Sequence, residues 1–302
     1  MTSPRAYLNG RLLPQSEAAL PLHDAGLVFG ATITDLCRTF HHRLFRLADH
    51  VARFRQSCTL ARVPLLAPDA ELQRIAEDLV AHNAGLVTAE QDLALVMIAT
   101  PGPIGTYAGL PGGPGDGAPT LAMHTFPLPF ARLRRAFTEG VHLVAPDPMT
   151  RGVGIDSRIK HRSRLHWWLA DRTVQDAAPG ASALLVTGGG FVTETAAANL
   201  LIVRKGAVLT PHRAYVLNGV SLKVVEELCG ELGIPFAEEA LTLLNCLGAD
   251  EAMLSNTSYC LAGVRRINDI SLPWPGPIFE RLLAAWSRQV GLDVRAQILA
   301  GG

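Results

Sequence analysis

The chain has 302 residues, 48% of them hydrophobic, enough to bury a large core and, at roughly 100 to 200 residues per domain, enough for two domains. Its 27 basic and 27 acidic residues cancel, which argues against polyphosphate backbones and anionic lipid, so neither nucleic acid nor a membrane is expected as a partner. The opening MTSPRAYLNGRLLPQ has no signal-peptide core, no stretch approaches about 18 uninterrupted apolar residues, and five cysteines without a C-x-x-C pair suit reduced thiols, so the expected location is cytoplasmic.

In chain order, A-Y-L-N-G-R-L-L reads as a hairpin, because Asn9-Gly10 suits a turn that needs positive φ. The apolar run from Leu27 to Phe40, resumed at Leu44-Phe45, reads as antiparallel strands. Helical spacing follows over Asp49–Ala61 and Asp69–Ala84, then strands over Asp92–Thr100 and Thr120–Phe126. Between those strands, P-G-P-I-G-T-Y-A-G-L-P-G-G-P-G-D-G-A-P is either an active-site lid or a disordered connector.

Prolines in P-L-P-F-A-R-L-R-R-A interrupt both periodicities, which places a linker at 127–136 between an N-terminal domain, 1–126, and a C-terminal domain, 137–302. A strand at 141–145 and a helix from His161 to about Ala177 come next. Two hairpins follow, S-A-L-L-V-T-G-G-G-F-V-T-E-T and N-L-L-I-V-R-K-G-A-V-L-T. Then come a helix from Ser221 to Leu232 stopped by Gly233, a strand at Glu251–Leu254, a polar turn at 255–258 and a helix from Pro277 to about Val290. Strands and helices mix without regular alternation, so the expected class is α+β.

Signatures of P-loop, dinucleotide, zinc-protease and serine-hydrolase sites are absent, and no metal site is expected. Lysine is scarce: Lys160, Lys205 and Lys223 stand among 24 arginines, so lysine chemistry has three candidates. Lys205 falls in a hairpin turn and Lys223 on a polar helix face. Lys160 lies in S-R-I-K-H-R-S-R-L, where Arg158, Arg162 and Arg164 disfavour an ammonium and lower its pKa, as an imine-forming amine requires. A plain basic helix face would show the same cluster.

Glu194 is a lone carboxylate in a β-prone apolar strand and calls for a cationic partner, which a protonated pyridine nitrogen would supply. L-N-G-V-S at 217–221 opens a helix whose first amides, those of Val220 and Ser221, form an anion site, and S-N-T-S at 255–258 adds hydroxyls suited to phosphate. Taken singly, each of these has an equally good structural explanation.

Together and in order, D-A-G-L-V-F-G (24–30), R-L-F-R-L-A-D-H-V-A-R-F (43–54), K-H-R-S-R-L (160–165), V-T-E-T-A-A-A-N-L (192–200), L-N-G-V-S (217–221) and A-D-E-A-M-L-S-N-T-S (249–258) resemble the class IV aminotransferases. That group holds branched-chain and D-amino-acid aminotransferases and 4-amino-4-deoxychorismate lyases. The resemblance implies pyridoxal 5'-phosphate (PLP) as cofactor and a homodimer. It also implies a small α/β N-terminal domain beside a larger C-terminal domain of pseudo-barrel type.

By the same resemblance Lys160 is the catalytic Schiff-base lysine, Glu194 pairs with the pyridine nitrogen, and Arg53, Val220, Ser221 and Thr257 hold the phosphate. The activity it implies is transfer of an amino group between an amino acid or amine and a keto acid. The alternative on the same scaffold is a lyase that releases pyruvate to form 4-aminobenzoate. Two departures bear on substrate: T-I-T-D, with Thr34 and Asp35, stands where many relatives have G-x-Y-E, and no arginine lies between Thr100 and Thr120 to meet a substrate carboxylate. Arg38, Arg158, Arg162 and Arg164 are the replacement candidates.

Overall fold

The computed structural model describes residues 3–146 and 154–301, which divide into two compact units. The first comprises the chain up to Leu128 together with Ile159–Ser163, and the second the rest.

The first unit runs β1 (Arg5–Leu8), β2 (Arg11–Pro14), α1 (Ala25–Val28), β3 (Ile33–Phe40), β4 (Arg43–Leu44), α2 (Leu47–Leu60), α3 (Asp69–Ala84), β5 (Leu93–Thr100) and β6 (Thr120–Pro127). The strands form one antiparallel sheet in the order β2-β1-β6-β5-β3-β4. The hairpin turn expected at Asn9-Gly10 is present, with both residues at positive φ. Side chains alternate across a strand, so Ile33, Cys37, Leu95, Met97 and Met123 pack against Phe54, Leu72 and Leu79 from α2 and α3 on one face.

Two expectations change here. The run from Leu27 does not begin as a strand: the Asp24 carboxylate caps α1 by accepting from Gly26 N–H at 2.7 Å, Gly30 takes positive φ, and β3 starts at Ile33. The Gly/Pro-rich segment is tied down rather than loose, for Ile104 N–H donates to His23 C=O at 2.9 Å and a short 3-10 turn forms over Gly105–Ala108.

The second unit contains α4 (Phe130–Thr138), β7 (Val141–Val144), α5 (Leu165–Ala177), β8 (Ser182–Val186), β9 (Val192–Thr195), β10 (Asn199–Arg204), β11 (Ala207–Pro211), α6 (Val220–Leu232), β12 (Phe236–Glu239), α7 (Leu243–Leu247), β13 (Glu251–Asn256), β14 (Cys260–Ile267), β15 (Ile270–Ser271), α8 (Pro277–Val290) and α9 (Val294–Ala300). Helix α4 occupies much of the segment read as a linker at 127–136. Its prolines precede the first turn, where a missing N–H costs nothing, and Phe130 and Phe137 bury one face.

The strands β10-β13-β14-β7-β8-β9 form a ring, closed where β9 pairs back onto β10 through Glu194 and Asn199. Leu143, Leu184, Leu200, Ile202, Leu254 and Val264 fill its core. The fold is thus a mixed α and β fold with a small closed barrel, α+β as expected.

Candidate active site

In the first unit the chemistry gathers around α2. His50, Arg53 and Ser57 recur at i, i+3 and i+7, so they share one helix face. Asp35, whose side chain points to the same side of the sheet as Ile33 and Cys37, meets that face. Arg53 Nε donates to Asp35 Oδ2 and Nη2 to Oδ1, each at 2.8 Å, and His50 Nδ1 lies 2.7 Å from Oδ1. All three side chains are buried.

Burial alone would raise the Asp35 pKa, but the charges of Arg53 and His50 and their hydrogen bonds outweigh it and hold the carboxyl well below its usual range. For His50, burial drives the pKa down, and Arg53 and Lys160 add to this against the raising effect of Asp35. An imidazole donating Nδ1–H to Asp35 Oδ1 satisfies both residues.

Lys160 belongs to this assembly. Its N–H donates to Ser57 Oγ at 3.1 Å, its C=O accepts from Thr34 N–H at 3.0 Å, and Arg162 N–H donates to Thr32 C=O at 2.8 Å. His161 pairs as an antiparallel bridge with Ile33. The helix expected from His161 therefore starts later, at Leu165, because residues 159–163 are spent extending the edge of the sheet. One helical turn along α2 and one hydrogen bond join Arg53 to the Lys160 backbone.

In the second unit, Glu194 sits at the closure of the barrel. A register shift in the β8–β9 pairing breaks strict alternation, so Val192 and Thr195 pair with β8 while Glu194 pairs with Asn199. Glu194 Oε2 accepts from Leu217 N–H at 3.2 Å and from Asn199 Nδ2 at 3.3 Å, and that same amide donates to Leu217 C=O at 2.9 Å. The carboxylate is thereby tied to the segment that leads into α6.

Gly219 caps α6, and the amides of Val220 and Ser221 start it with no intrahelical acceptor, as at any helix N-terminus. A side chain at 219 would run into Asn199 Oδ1, which explains the glycine. Asn199 in turn pairs with Ser255 on β13. Thr257 follows in the β13–β14 turn, at the same end of the sheet and half-buried, so it shares the neighbourhood without a bond to Glu194, Val220 or Ser221 among the described residues.

The sequence reading named Arg53 and Lys160, which the first unit joins, and Glu194, Val220 and Ser221, which the second unit joins. It passed over His50 and Ser57, although their spacing with Arg53 marks one helix face, and it left Asn199 without a role. Of the four arginines weighed for a substrate carboxylate, Arg38 is buried against Asp92 at 3.4 Å and lies 3.9 Å from the Phe40 ring centroid. Arg158 pairs with Asp156, and Arg164 donates to Ala196 C=O and lies over the Trp167 ring.

The family model described as amino-transferase class IV matches residues 32–267. The chain belongs to the class IV aminotransferase family. Among proteins similar to this class IV aminotransferase is the D-alanine aminotransferase of Bacillus licheniformis, 27% identical over 293 residues that span 95% of this chain and 97% of that one. Among solved structures, the branched-chain amino acid aminotransferase of Escherichia coli superposes with a TM-score of 0.83 at 20% identity, covering 96% of this chain and 94% of the other, a likeness of fold. The 4-amino-4-deoxychorismate lyase of Pseudomonas aeruginosa superposes with a TM-score of 0.77 at 26% identity, covering 95% and 99%. Class IV aminotransferases use PLP, and amino transfer through that cofactor is the activity of this enzyme's family.

Proposed function

We propose that this class IV aminotransferase moves an amino group between an amino acid or amine and a keto acid, with Lys160 as the Schiff-base lysine. The observation that carries the reading is the Lys160 N–H to Ser57 Oγ bond, which fixes the lysine backbone beside the helix that presents Arg53. The donor set suits PLP: an amine for its aldehyde, a buried guanidinium and helix-start amides for its phosphate, and a carboxylate for its ring nitrogen.

When bound, PLP supplies an electron-accepting ring that eases loss of a proton from the substrate carbon. Glu194, steadied by Asn199 Nδ2 and Leu217 N–H, would keep the proton on the ring nitrogen. Arg53, whose guanidinium is oriented by Asp35, would hold the phosphate, as would the amides of Val220 and Ser221 and the hydroxyl of Thr257. With its amine free, Lys160 would take up the proton lost from the substrate carbon and give it back, as general base and then acid.

The two units correspond in this reading to the two domains of the family fold, the division falling within 127–136. We also propose a cytoplasmic homodimer. Leu165, Trp168 and Leu169 lie at i, i+3 and i+4 on α5 and are 69%, 62% and 54% exposed, an apolar face that supports association with a second copy. No described helix is long and apolar enough to cross a membrane.

Spectra of wild type and Lys160→Ala with added PLP test the assignment. A near-visible band of lysine-bound cofactor, absent from the variant and discharged by amine donors, is the expected result, and an unchanged variant spectrum overturns it. The resemblance of K-H-R-S-R-L to the lyases, together with the likeness to the solved lyase of Pseudomonas aeruginosa, supports elimination as a second reading. Pyruvate release from aminodeoxychorismate without added keto acid would establish it.

A further inference from the structure

We infer that Ser57 is the positioning residue of the lysine: its hydroxyl closes a ring of contacts that sets the direction in which the Lys160 side chain leaves the backbone, and so how readily the amine bonds to the cofactor. This deepens the aminotransferase reading and rests on it for the role of Lys160.

Both backbone groups of Lys160 are held, and by different elements. Its N–H donates to Ser57 Oγ on α2 at 3.1 Å, and its C=O accepts from Thr34 N–H on β3 at 3.0 Å. One residue on, His161 pairs with Ile33 across the edge of the sheet. The bond to Thr34 fixes the peptide plane that follows the lysine Cα, and the bond to Ser57 fixes the plane that precedes it. With both planes set, φ and ψ are set, and the Cα–Cβ bond has one direction.

The two elements that hold the lysine are themselves joined. Arg53 lies four residues before Ser57 on the same face of α2, about 6 Å along the helix axis. Its guanidinium is held at two points by Asp35, the residue after Thr34 on β3. Lys160, Ser57, Arg53, Asp35 and Thr34 therefore form one closed circuit, from the lysine to the helix, across to the strand and back to the lysine. Within it the separation between the lysine backbone and the base of Arg53 is set by the pitch of α2.

Packing alone does not call for serine at this position. Ser57 is 0% exposed, on a helix whose other buried residues include Val51, Phe54 and Cys58. Alanine is the better helix former there and has no polar atom to strip of water. The Ser57 hydroxyl is satisfied from outside its own helix, by the lysine N–H. It is also the link whose removal leaves the others standing, because the Arg53–Asp35 and Thr34–Lys160 bonds do not pass through it.

The test compares PLP with 4'-deoxypyridoxine 5'-phosphate, which carries a methyl group in place of the aldehyde and so reads the ring and phosphate contacts alone. With PLP the lysine amine condenses with the aldehyde, forming a C=N bond and releasing water. Each is titrated by calorimetry into the cofactor-free full chain as wild type, Ser57→Ala and Ser57→Cys. Ser57→Ala is expected to weaken PLP roughly 10-fold, the scale of one buried acceptor lost, while the analogue changes by less than about twofold. The near-visible band per bound PLP should fall with it. Ser57→Cys keeps the volume with a weaker acceptor and should show the same split at smaller size, which decides the matter if Ser57→Ala does not fold.

Equal losses for PLP and the analogue would assign Ser57 to packing alone and overturn the inference, as would PLP affinity within about twofold of wild type in Ser57→Ala. Lys160→Ala separates the two levels. There PLP should bind no better than the analogue, and a PLP advantage that survives in that variant counts against the Schiff-base reading itself.

Discussion

Arg53 and Asp35 form a two-point pair across the junction of α2 and β3, with Nε and Nη2 each 2.8 Å from a different carboxylate oxygen and both side chains shielded from solvent. The pair fixes the plane of the guanidinium, which a single contact would leave free to turn. Asp35→Asn removes the charge and one of two acceptors while Arg53 stays buried. A loss of roughly 3–5 kcal/mol is expected for breaking a buried ion pair, read from urea unfolding of the PLP-free protein. A loss under about 1 kcal/mol, the range of exposed pairs, would show that the pair carries little.

His50 gives stability a pH dependence whose sign follows from its environment. Its folded pKa is lowered, while on unfolding it returns to the ordinary value of 6.5. Below pH 6.5 the unfolded chain takes up a proton that the folded chain refuses, so stability falls with falling pH in that window and levels off above it. His124 and His166, also lowered by burial, act in the same direction. Comparing urea midpoints against pH for wild type and His50→Gln should show a shallower slope in the variant. Equal slopes would remove His50 from the account.

Gly219 and Asn199 are packed so closely that Gly219→Ala must displace the Asn199 side chain, which bridges Glu194 and Leu217 C=O. The backbone at 219 is ordinary, with φ of −65°, so the cost is one of packing and lost hydrogen bonds rather than backbone strain. The expected destabilisation is about 1–3 kcal/mol. PLP should dissociate about tenfold faster, as read by the decay of the cofactor band on dilution, since each 1.4 kcal/mol corresponds to a factor of ten.

Trp168 projects 62% exposed from the apolar face of α5, beside Leu165 and Leu169. If that face joins two copies, Trp168→Glu buries a charge at the contact and shifts sedimentation toward the monomer at micromolar concentration. Unchanged dimer in the variant would place the interface elsewhere.

Much of the fold was legible because local signals agreed with it. Leu72, Ile75, Ala76 and Leu79 repeat at helical spacing and make α3 over the predicted bounds, and Gly233 ends α6 at positive φ. The departures occur where tertiary bonds outweigh local patterns. The apolar Leu27 looks like strand but is recruited by the Asp24 cap, and the basic segment after Lys160 looks like helix but pairs with Ile33. Strand β14 and helix α9 escaped notice, because a strand buried on both faces loses the two-residue alternation and a seven-residue helix carries a weak periodic signal.

By itself the sequence determined the chemical inventory: one lysine set among arginines, a lone Glu194, helix-start amides at Val220 and Ser221, and the order of motifs that marks the family. Only the tertiary structure decided which groups meet. Burial and pairing of Asp35 with Arg53, of Arg38 with Asp92 and of Arg164 with Ala196 C=O depend on contacts between residues far apart in the chain, and closure of the barrel at Glu194 and Asn199 on how its strands are laid together. Such contacts are set by strand register and by which face of each strand is packed, neither of which is expressed in local spacing.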